Sequence, residues 1–447
     1  MRGNRLTLQK ELSLVLIAES SPRHLARVPW KEERPKLNHS ERRILVVTCF
    51  GHFMSHFNML VFPALVLPLS QKLNMGMPQV LGLSFWMYLL FGITALPWGM
   101  LGDKLGGKPI MLIMFLGAGL SGLATAMFLD SPLAFSIGLA GIGLFSGIYH
   151  PIGLGLISKG VGRLSLAMGY NAVFGGLGLV VAPLVTGIIN WISGPKAAYL
   201  LLAGLNLVGL VMMALLPLGD EVKKKGTQAD KGNGMVEAFL ILLVAMMLGG
   251  IAYRGSTVIL PAYLQLNGKA IFEAVSGVFG QDLSANVVAT TVAAAVYTVG
   301  MIGQYVGGHV GDRFEHRVAY LTFHTICIPA AFLMAFTQNF ALVGFAFVYF
   351  FFLLGMQPVE NTLVATFTPK RLHHSAYGMK FILTFGVGAL AVKMVQWIEV
   401  RWGSDATWIA LGFISVLIVM TIIVLIARTS PSRRQQPETS EGLPVKN

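Results

Sequence analysis

The sequence is poor in charge. Asp, Glu, Lys and Arg together make up 12% of its 447 residues, against about 25% in a typical soluble domain. So little charge cannot cover the surface of an ordinary soluble enzyme or binding module. Cysteine is nearly absent as well. Cys49 and Cys327 both sit in apolar runs, so they build neither a disulfide framework nor a cysteine metal site and are expected to be buried and inert. No Walker-type phosphate loop occurs, which argues against ATP as the direct drive. No H-E-x-x-H motif occurs, which argues against a membrane metalloenzyme. No cofactor and no metal are expected. The first 42 residues are polar and basic. They lack an apolar stretch followed by a small-residue cleavage site, so they do not read as a secretory signal.

What the chain has instead is hydrophobic length. Apolar residues make up 55%, and mean hydropathy is +0.68. A helix needs about 20 predominantly apolar residues to cross a bilayer. Twelve such spans can be read, at 44–71, 80–101, 109–129, 133–157, 164–192, 197–218, 237–264, 287–309, 317–337, 340–366, 374–398 and 405–427. Spans 5, 7 and 10 exceed the minimum and imply tilt or bends. The expected fold is an all-α membrane protein with twelve transmembrane helices, and its first partner is the lipid bilayer.

The formal net charge is +13, but the basic residues lie in tails and short loops. That distribution suits membrane topology and not nucleic-acid binding, which needs a basic patch on one soluble face. The loops after spans 2, 4, 8 and 10 hold Lys104 and Lys108, Lys159 and Arg163, Arg313 and Arg317, Lys370 and Arg371. The opposite loops hold Lys72, Lys196, Lys269 and Arg401. Lys and Arg mark the inner side. Both termini are therefore expected in the cytoplasm of a plasma-membrane protein (the inner membrane, in a bacterium). The implied division is a tail at 1–43, a first helical bundle at 44–218, a linker at 219–236 carrying Lys223–Lys225, a second bundle at 237–427 and a tail at 428–447. The first tail could carry a short amphipathic piece around Leu6–Ile17.

The two halves repeat. Leu101-Gly102-Asp103-Lys104 matches Val310-Gly311-Asp312-Arg313 at an offset of 209. Tyr149-His150-Pro151 matches Met356-Gln357-Pro358 at 207, and Gly169 matches Gly378 at 209. Phe62-Pro63-Ala64 matches Leu260-Pro261-Ala262. Four matches in order, at corresponding spans, indicate two pseudo-symmetric six-helix bundles.

On these residues the chain resembles the major facilitator superfamily. Gly99, Gly102, Asp103, Lys104, Gly106 and Lys108 follow the superfamily's loop signature. The second copy keeps Gly308, Gly311, Asp312, Arg313 and Arg317, and departs at Glu315. The resemblance implies that Asp103 and Asp312 latch the halves together during alternating access; the bland alternative is that the basic residues only fix topology. Gly169, Gly178, Pro183 and Gly187 partly match the glycine/proline pattern of the superfamily's drug/proton antiporters. Small residues in a packed helix serve packing equally well. The His-Phe start of span 1, the Pro-Ala-Leu run after it and Tyr149-His150-Pro151 resemble the fosmidomycin-resistance-type exporters. Those carry an aspartate near the position held here by His56.

Ionisable groups inside a membrane are costly and usually face a cavity. His52 and His56 lie four apart on one face of span 1. His150 follows Tyr149 in span 4. Arg254 follows Tyr253 in span 7, Glu360 precedes Asn361 in span 10, and Lys380 and Asn171 occupy matching depths in spans 11 and 5. Spans 1, 4, 7 and 10 line the central cavity in the superfamily. Glu360 and Lys380 stand at similar depth on consecutive spans and are expected to pair, which would offset most of the cost of burying either. His52 and His150 could serve packing or hydrogen bonding only, and the Glu360–Lys380 pair could be purely structural. The expected function is alternating-access transport of a small organic solute, anionic or zwitterionic because fixed positive charge exceeds negative. Proton-coupled export is the leading form. A proton-coupled importer and a non-transporting sensor on the same fold stay open. The protein is expected to be a monomer and not an enzyme.

Overall fold

The computed structural model describes residues 37–218, 235–280, 282–368 and 378–429, with the side chains of Leu164 and Ser165 excepted. Most of both expected tails, most of the linker with Lys223–Lys225, and the loop with Lys370, Arg371, His373 and His374 lie outside the described residues. Among the described residues the chain is helical, with no strand.

The first half runs through α1 (His39–Ala64), α2 (Val66–Leu73), α3 (Met77–Leu83), α4 (Phe85–Ile93), α5 (Ala95–Leu105), α6 (Gly107–Met127), α7 (Pro132–Ser146), α8 (Tyr149–Gly160) and α9 (Leu164–Leu215). The second half runs through α10 (Val236–Asn267), α11 (Lys269–Phe279), α12 (Ala285–Arg313), α13 (His316–Phe336), α14 (Asn339–Gly355) and α15 (Gln357–Phe367). A π-helical turn, Ile382–Gly386, and a 3₁₀ turn, Val387–Ala389, lead into α16 (Leu390–Trp402), and α17 (Ser404–Thr429) closes the fold.

Ten stretches among the described residues are long and apolar enough to cross a membrane, and eleven when a pair bent by 107°, Val66–Leu73 with Met77–Ile93, counts as one. The breaks have local causes. Asn74 ends α2 in the left-handed region at φ 49. Span 1, expected at 44–71, starts earlier and is interrupted at Leu65, just after Pro63, whose ring removes a helical N–H. Span 2, expected at 80–101, extends over α3, α4 and α5, three pieces joined by Ser84 and Thr94 in near-helical conformation. The 52 residues of α9 would form a rod of about 78 Å at 1.5 Å per residue. They do not, because Gly194 at φ 78, ψ 175 breaks the path just before Pro195. A side chain at position 194 would be strained in that conformation. The break falls between expected spans 5 and 6.

One element departs from the expected pattern. The connection after α10 forms α11, only 11 residues long. It lays Ile271 against Val287 and Val288 of α12, with Phe272 and Val275 beside them, and leaves Val278 and Phe279 exposed. Cys49 and Cys327 are free and buried, as expected.

The halves touch along their length, and hydrogen bonds join them at the end of the spans opposite the Asp103 and Asp312 loops. There Asn190 on α9 donates to the Asn286 side chain on α12 (3.0 Å), Asn286 donates to the Ala64 carbonyl on α1 (2.9 Å), and Trp191 donates to the Asp282 carbonyl (2.8 Å).

Candidate functional site

The stretch from Gly51 to Leu65 has two polar faces with different neighbours. Asn58 is buried and donates to Ser146 Oγ at 3.0 Å, while Asn206 donates to Asn58 Oδ1, also at 3.0 Å. Ser55 donates to the Ser146 carbonyl at 3.2 Å. These contacts stitch α1 to α7 and α9 inside the first bundle and satisfy the polar groups of this face locally.

The other face carries His52 and His56, partly buried. Their Nε2 atoms are 3.2 Å apart, and His52 Nδ1 lies 2.8 Å from the Asn171 carbonyl. The carbonyl can only accept, so Nδ1 carries the proton and Nε2 of His52 is left as an acceptor. His56 then donates to it. A break at Gly147 restarts the chain as α8, which presents Tyr149 and His150. The His150 ring centroid is 5.4 Å from that of His52 and 5.5 Å from that of His56. Tyr149 stacks on His52 at 4.8 Å and accepts a hydrogen bond from Asn171 Nδ2 at 2.5 Å. A methyl group at Gly175 would collide with the His52 ring, so that glycine gives the imidazole its space.

His150 also touches the second half. Phe381 and Phe385 stack on it at 5.1 and 5.4 Å, and Phe91 meets it edge-on at 5.8 Å. Its Nε2 is buried with no hydrogen-bond partner. Sequence reasoning misses these three aromatics, because phenylalanines in a membrane span carry no distinguishing signal.

In the second half the expected ion pair forms. Lys380 Nζ lies 2.6 Å from Glu360 Oε1, with both side chains more than nine-tenths buried. Lys380 also donates to Asn361 Oδ1 at 2.5 Å, and Tyr320 donates to Glu360 Oε2 at 2.9 Å. His324 meets Tyr320 edge-on at 4.8 Å, and both of its ring nitrogens are buried without a hydrogen-bond partner. The rule that flags the other intramembrane histidines applies to His324 equally, so the sequence holds the signal for it.

Arg254 is buried and has no carboxylate partner among the described residues. Its guanidinium lies 3.9 Å above the Tyr88 ring and 5.7 Å from Tyr253, a cation–π clamp worth roughly 2 kcal/mol or more when desolvated. Its Nε has no hydrogen-bond partner. Tyr88, held by a bond from its hydroxyl to the Met59 carbonyl (3.0 Å), is the member of this group that the sequence does not single out.

The expected latch residues lie at the exposed loop end. Asp103 pairs with Lys159 of its own bundle at 3.5 Å, and Asp312, Lys104 and Arg313 are exposed. Lys108 donates to the Leu216 carbonyl at 3.0 Å, closing the end of α9. Gly99 packs against Pro151, and Gly102 and Gly311 are buried where their helices pass neighbours. The repeat diverges at one point for a clear reason. Gly106 turns the chain at φ 85, whereas its counterpart Glu315 caps α13, accepting from the Arg317 and Val318 backbone N–H groups and pairing with the Arg317 side chain at 2.6 Å. In α9, Gly178 and Gly187 allow close approach to Phe53 and Thr290. Gly169 is exposed with nothing near it, and Pro183 is buried.

A polytopic helical bundle with ionisable groups converging between its halves defines a membrane transporter and not an enzyme. Comparison with known proteins agrees. The model of the Major Facilitator Superfamily matches residues 48–392, and the chain belongs to that family. It is 23% identical over 395 residues to an uncharacterized MFS-type transporter of Bacillus subtilis, YfnC, covering 85% of this chain and 92% of that one. Its fold is similar to a bacterial homolog of the human lysosomal transporter Spinster in an inward-facing, occupied conformation. There the TM-score is 0.70 at 12% identity, over 90% of this chain and 99% of that one. It is also similar to a POT family transporter in complex with 5-aminolevulinic acid, with a TM-score of 0.70 at 14% identity, over 86% and 96%.

Proposed function

We propose that this superfamily member moves a small anionic or zwitterionic organic solute across the membrane by alternating access, as a proton-coupled exporter of the fosmidomycin-resistance type. The observation that carries the reading is Arg254. An arginine this deeply buried, with no carboxylate among the described residues to offset it, is stabilised by aromatic faces yet keeps hydrogen-bonding capacity in reserve. A carboxylate or phosphonate supplies both the missing charge and the missing acceptor. Lys380 is already committed to Glu360, so substrate charge falls to Arg254.

Proton coupling rests on His56, His52, His150 and Glu360, groups that change charge when their surroundings change. In this reading Leu166–Leu215 counts as two spans, the total is twelve, and both termini face the cytoplasm of the plasma membrane. The latch motif serves the rocking of one bundle against the other.

The test is transport in proteoliposomes with a panel of organic anions and a pH-sensitive dye inside. Arg254→Gln is expected to abolish substrate flux and Arg254→Lys to restore little of it, because an ammonium lacks the planar donor fork. Full flux of every anion in Arg254→Gln defeats the reading. Flux in inverted against right-side-out vesicles decides between export and import.

A further inference from the structure

We propose that His52, His56 and His150 form a binding site for a transition-metal dication of the zinc class. The donor nitrogens of the three imidazoles all lie within 4.8 Å of one another. Zinc–nitrogen bonds of 2.0–2.1 Å in a tetrahedron set neighbouring donor atoms about 3.3 Å apart. His52 Nε2 and His56 Nε2 already stand 3.2 Å apart, on one face of α1 and four residues apart. His150 completes the set from α8, and its buried Nε2 has no hydrogen bond to give up.

The surroundings fit a metal site in three further ways. His52 gives its Nδ1–H to the Asn171 carbonyl at 2.8 Å, the outer contact that fixes tautomer and ring orientation in metal-binding histidines and aims Nε2 at the ion. Tyr149 stacks on the same ring, itself held by Asn171, so His52 is oriented on two sides. Phe91, Phe381 and Phe385 wall His150 with apolar surface, which limits competing water. Three neutral nitrogens leave a fourth coordination position for water or an anion, the arrangement of an open site and not of a closed structural one. The missing H-E-x-x-H motif does not bear on this, since that motif supplies a catalytic glutamate and this cluster has none. Nitrogen donors alone favour zinc, nickel, copper and cobalt over magnesium or calcium, which take oxygen.

Binding requires His56 to carry its proton on Nδ1, which frees its Nε2 lone pair. The ion then takes up lone pairs that a further proton would occupy, so metal and proton compete. Affinity falls as the medium is acidified, because an imidazole that has taken up a second proton must lose it before it can ligate. If the histidines carry the coupling proton, which rests on the function proposed above, the metal also arrests transport.

The experiment uses the full chain without a polyhistidine tag, in lipid nanodiscs, and no organic substrate, so its outcome is independent of whether transport is ever shown. Zn²⁺ is titrated by calorimetry, and Co²⁺ is added as a spectroscopic stand-in. One Zn²⁺ per chain is expected, with the visible absorption of tetrahedral Co²⁺. His150→Ala and His56→Gln should each weaken Zn²⁺ binding by more than the 10- to 100-fold typical of losing an outer partner. His324→Ala, which removes a buried histidine in the other bundle, should leave it unchanged. The wild-type titration decides even where a variant fails to fold. No stoichiometric Zn²⁺ binding by the wild type, or wild-type affinity in both cluster variants, overturns the proposal.

Discussion

The two halves of the molecule share a scaffold and differ in what they bury. The first half buries imidazoles and amides: His52, His56 and His150 on one side of α1, Asn58 with Ser146 and Asn206 on the other. The second half buries full charges: Arg254 under tyrosine faces and the Glu360–Lys380 pair. An imidazole can sit neutral in an apolar site at modest cost, whereas an ammonium or carboxylate needs a partner at once. Hence each ion of the second half is engaged by another group, while His150 Nε2 in the first half has none. The second half also buries one imidazole, His324, whose ring nitrogens have no hydrogen-bond partner. Among the described residues, however, only the first half gathers three imidazoles within reach of one another, and the charges of the second are held by their neighbours. Under the function proposed above, the first half would exchange protons or ions and the second would hold the charged solute.

The comparison breaks most visibly at the ion pair. Lys380→Ala leaves Glu360 buried with Tyr320 alone, and breaking a buried pair on one side costs about 3–5 kcal/mol. A large fall in the unfolding midpoint of the detergent-solubilised protein is expected. The double variant Glu360→Gln with Lys380→Met removes both charges and should recover most of the loss. If the double variant unfolds as early as the single one, the pair is not what fixes the second half.

A smaller effect is expected from the structural face of α1. Asn58→Ala leaves Asn206 and Ser146 short of a partner in a buried site, a cost of about 1–3 kcal/mol. His52→Ala removes a stacked ring, a bond to the Asn171 carbonyl and the part-buried bond from His56, and should cost less stability than Asn58→Ala while costing more transport. Thermal unfolding and flux measured on the same two variants check this crossing. Equal losses in both assays would mean that the two faces of α1 do the same job.

Much of this architecture is legible in the amino-acid sequence. Apolar runs of membrane length locate the spans, and the Gly194–Pro195 break falls where the sequence places the boundary between spans 5 and 6. The Glu360–Lys380 contact follows from depth on consecutive helices, since helical rise is fixed. Other features need the folded chain. Arg254 is held by aromatic faces, and nothing in a series of tyrosines says which one stacks on it. Convergence of His150 on the α1 pair depends on how α8 restarts after Gly147. The short helix α11 escapes a 20-residue window, because its apolar face covers only a patch of α12.

The smallest stability effect, and the sharpest test of the loop motif, lies at Asp103. Its bond to Lys159 is 3.5 Å long, and both side chains are well exposed, at 79% and 43%. An exposed pair of this kind contributes about 0–1 kcal/mol, so Asp103→Asn should leave the unfolding midpoint nearly where it was. A latch acts on something else. In this conformation the bundles share hydrogen bonds through Asn190, Asn286 and Trp191 at the far end and ring contacts through His150 and Arg254 in the middle, while Asp103 pairs within its own bundle. A contact between bundles made only in the opposite state would cost nothing here and still set the rate of exchange between states. Asp103→Asn is therefore expected to slow transport severalfold with stability unchanged, and Lys159→Gln to change neither much. Transport at the wild-type rate in Asp103→Asn would leave the aspartate with no role beyond its local pair.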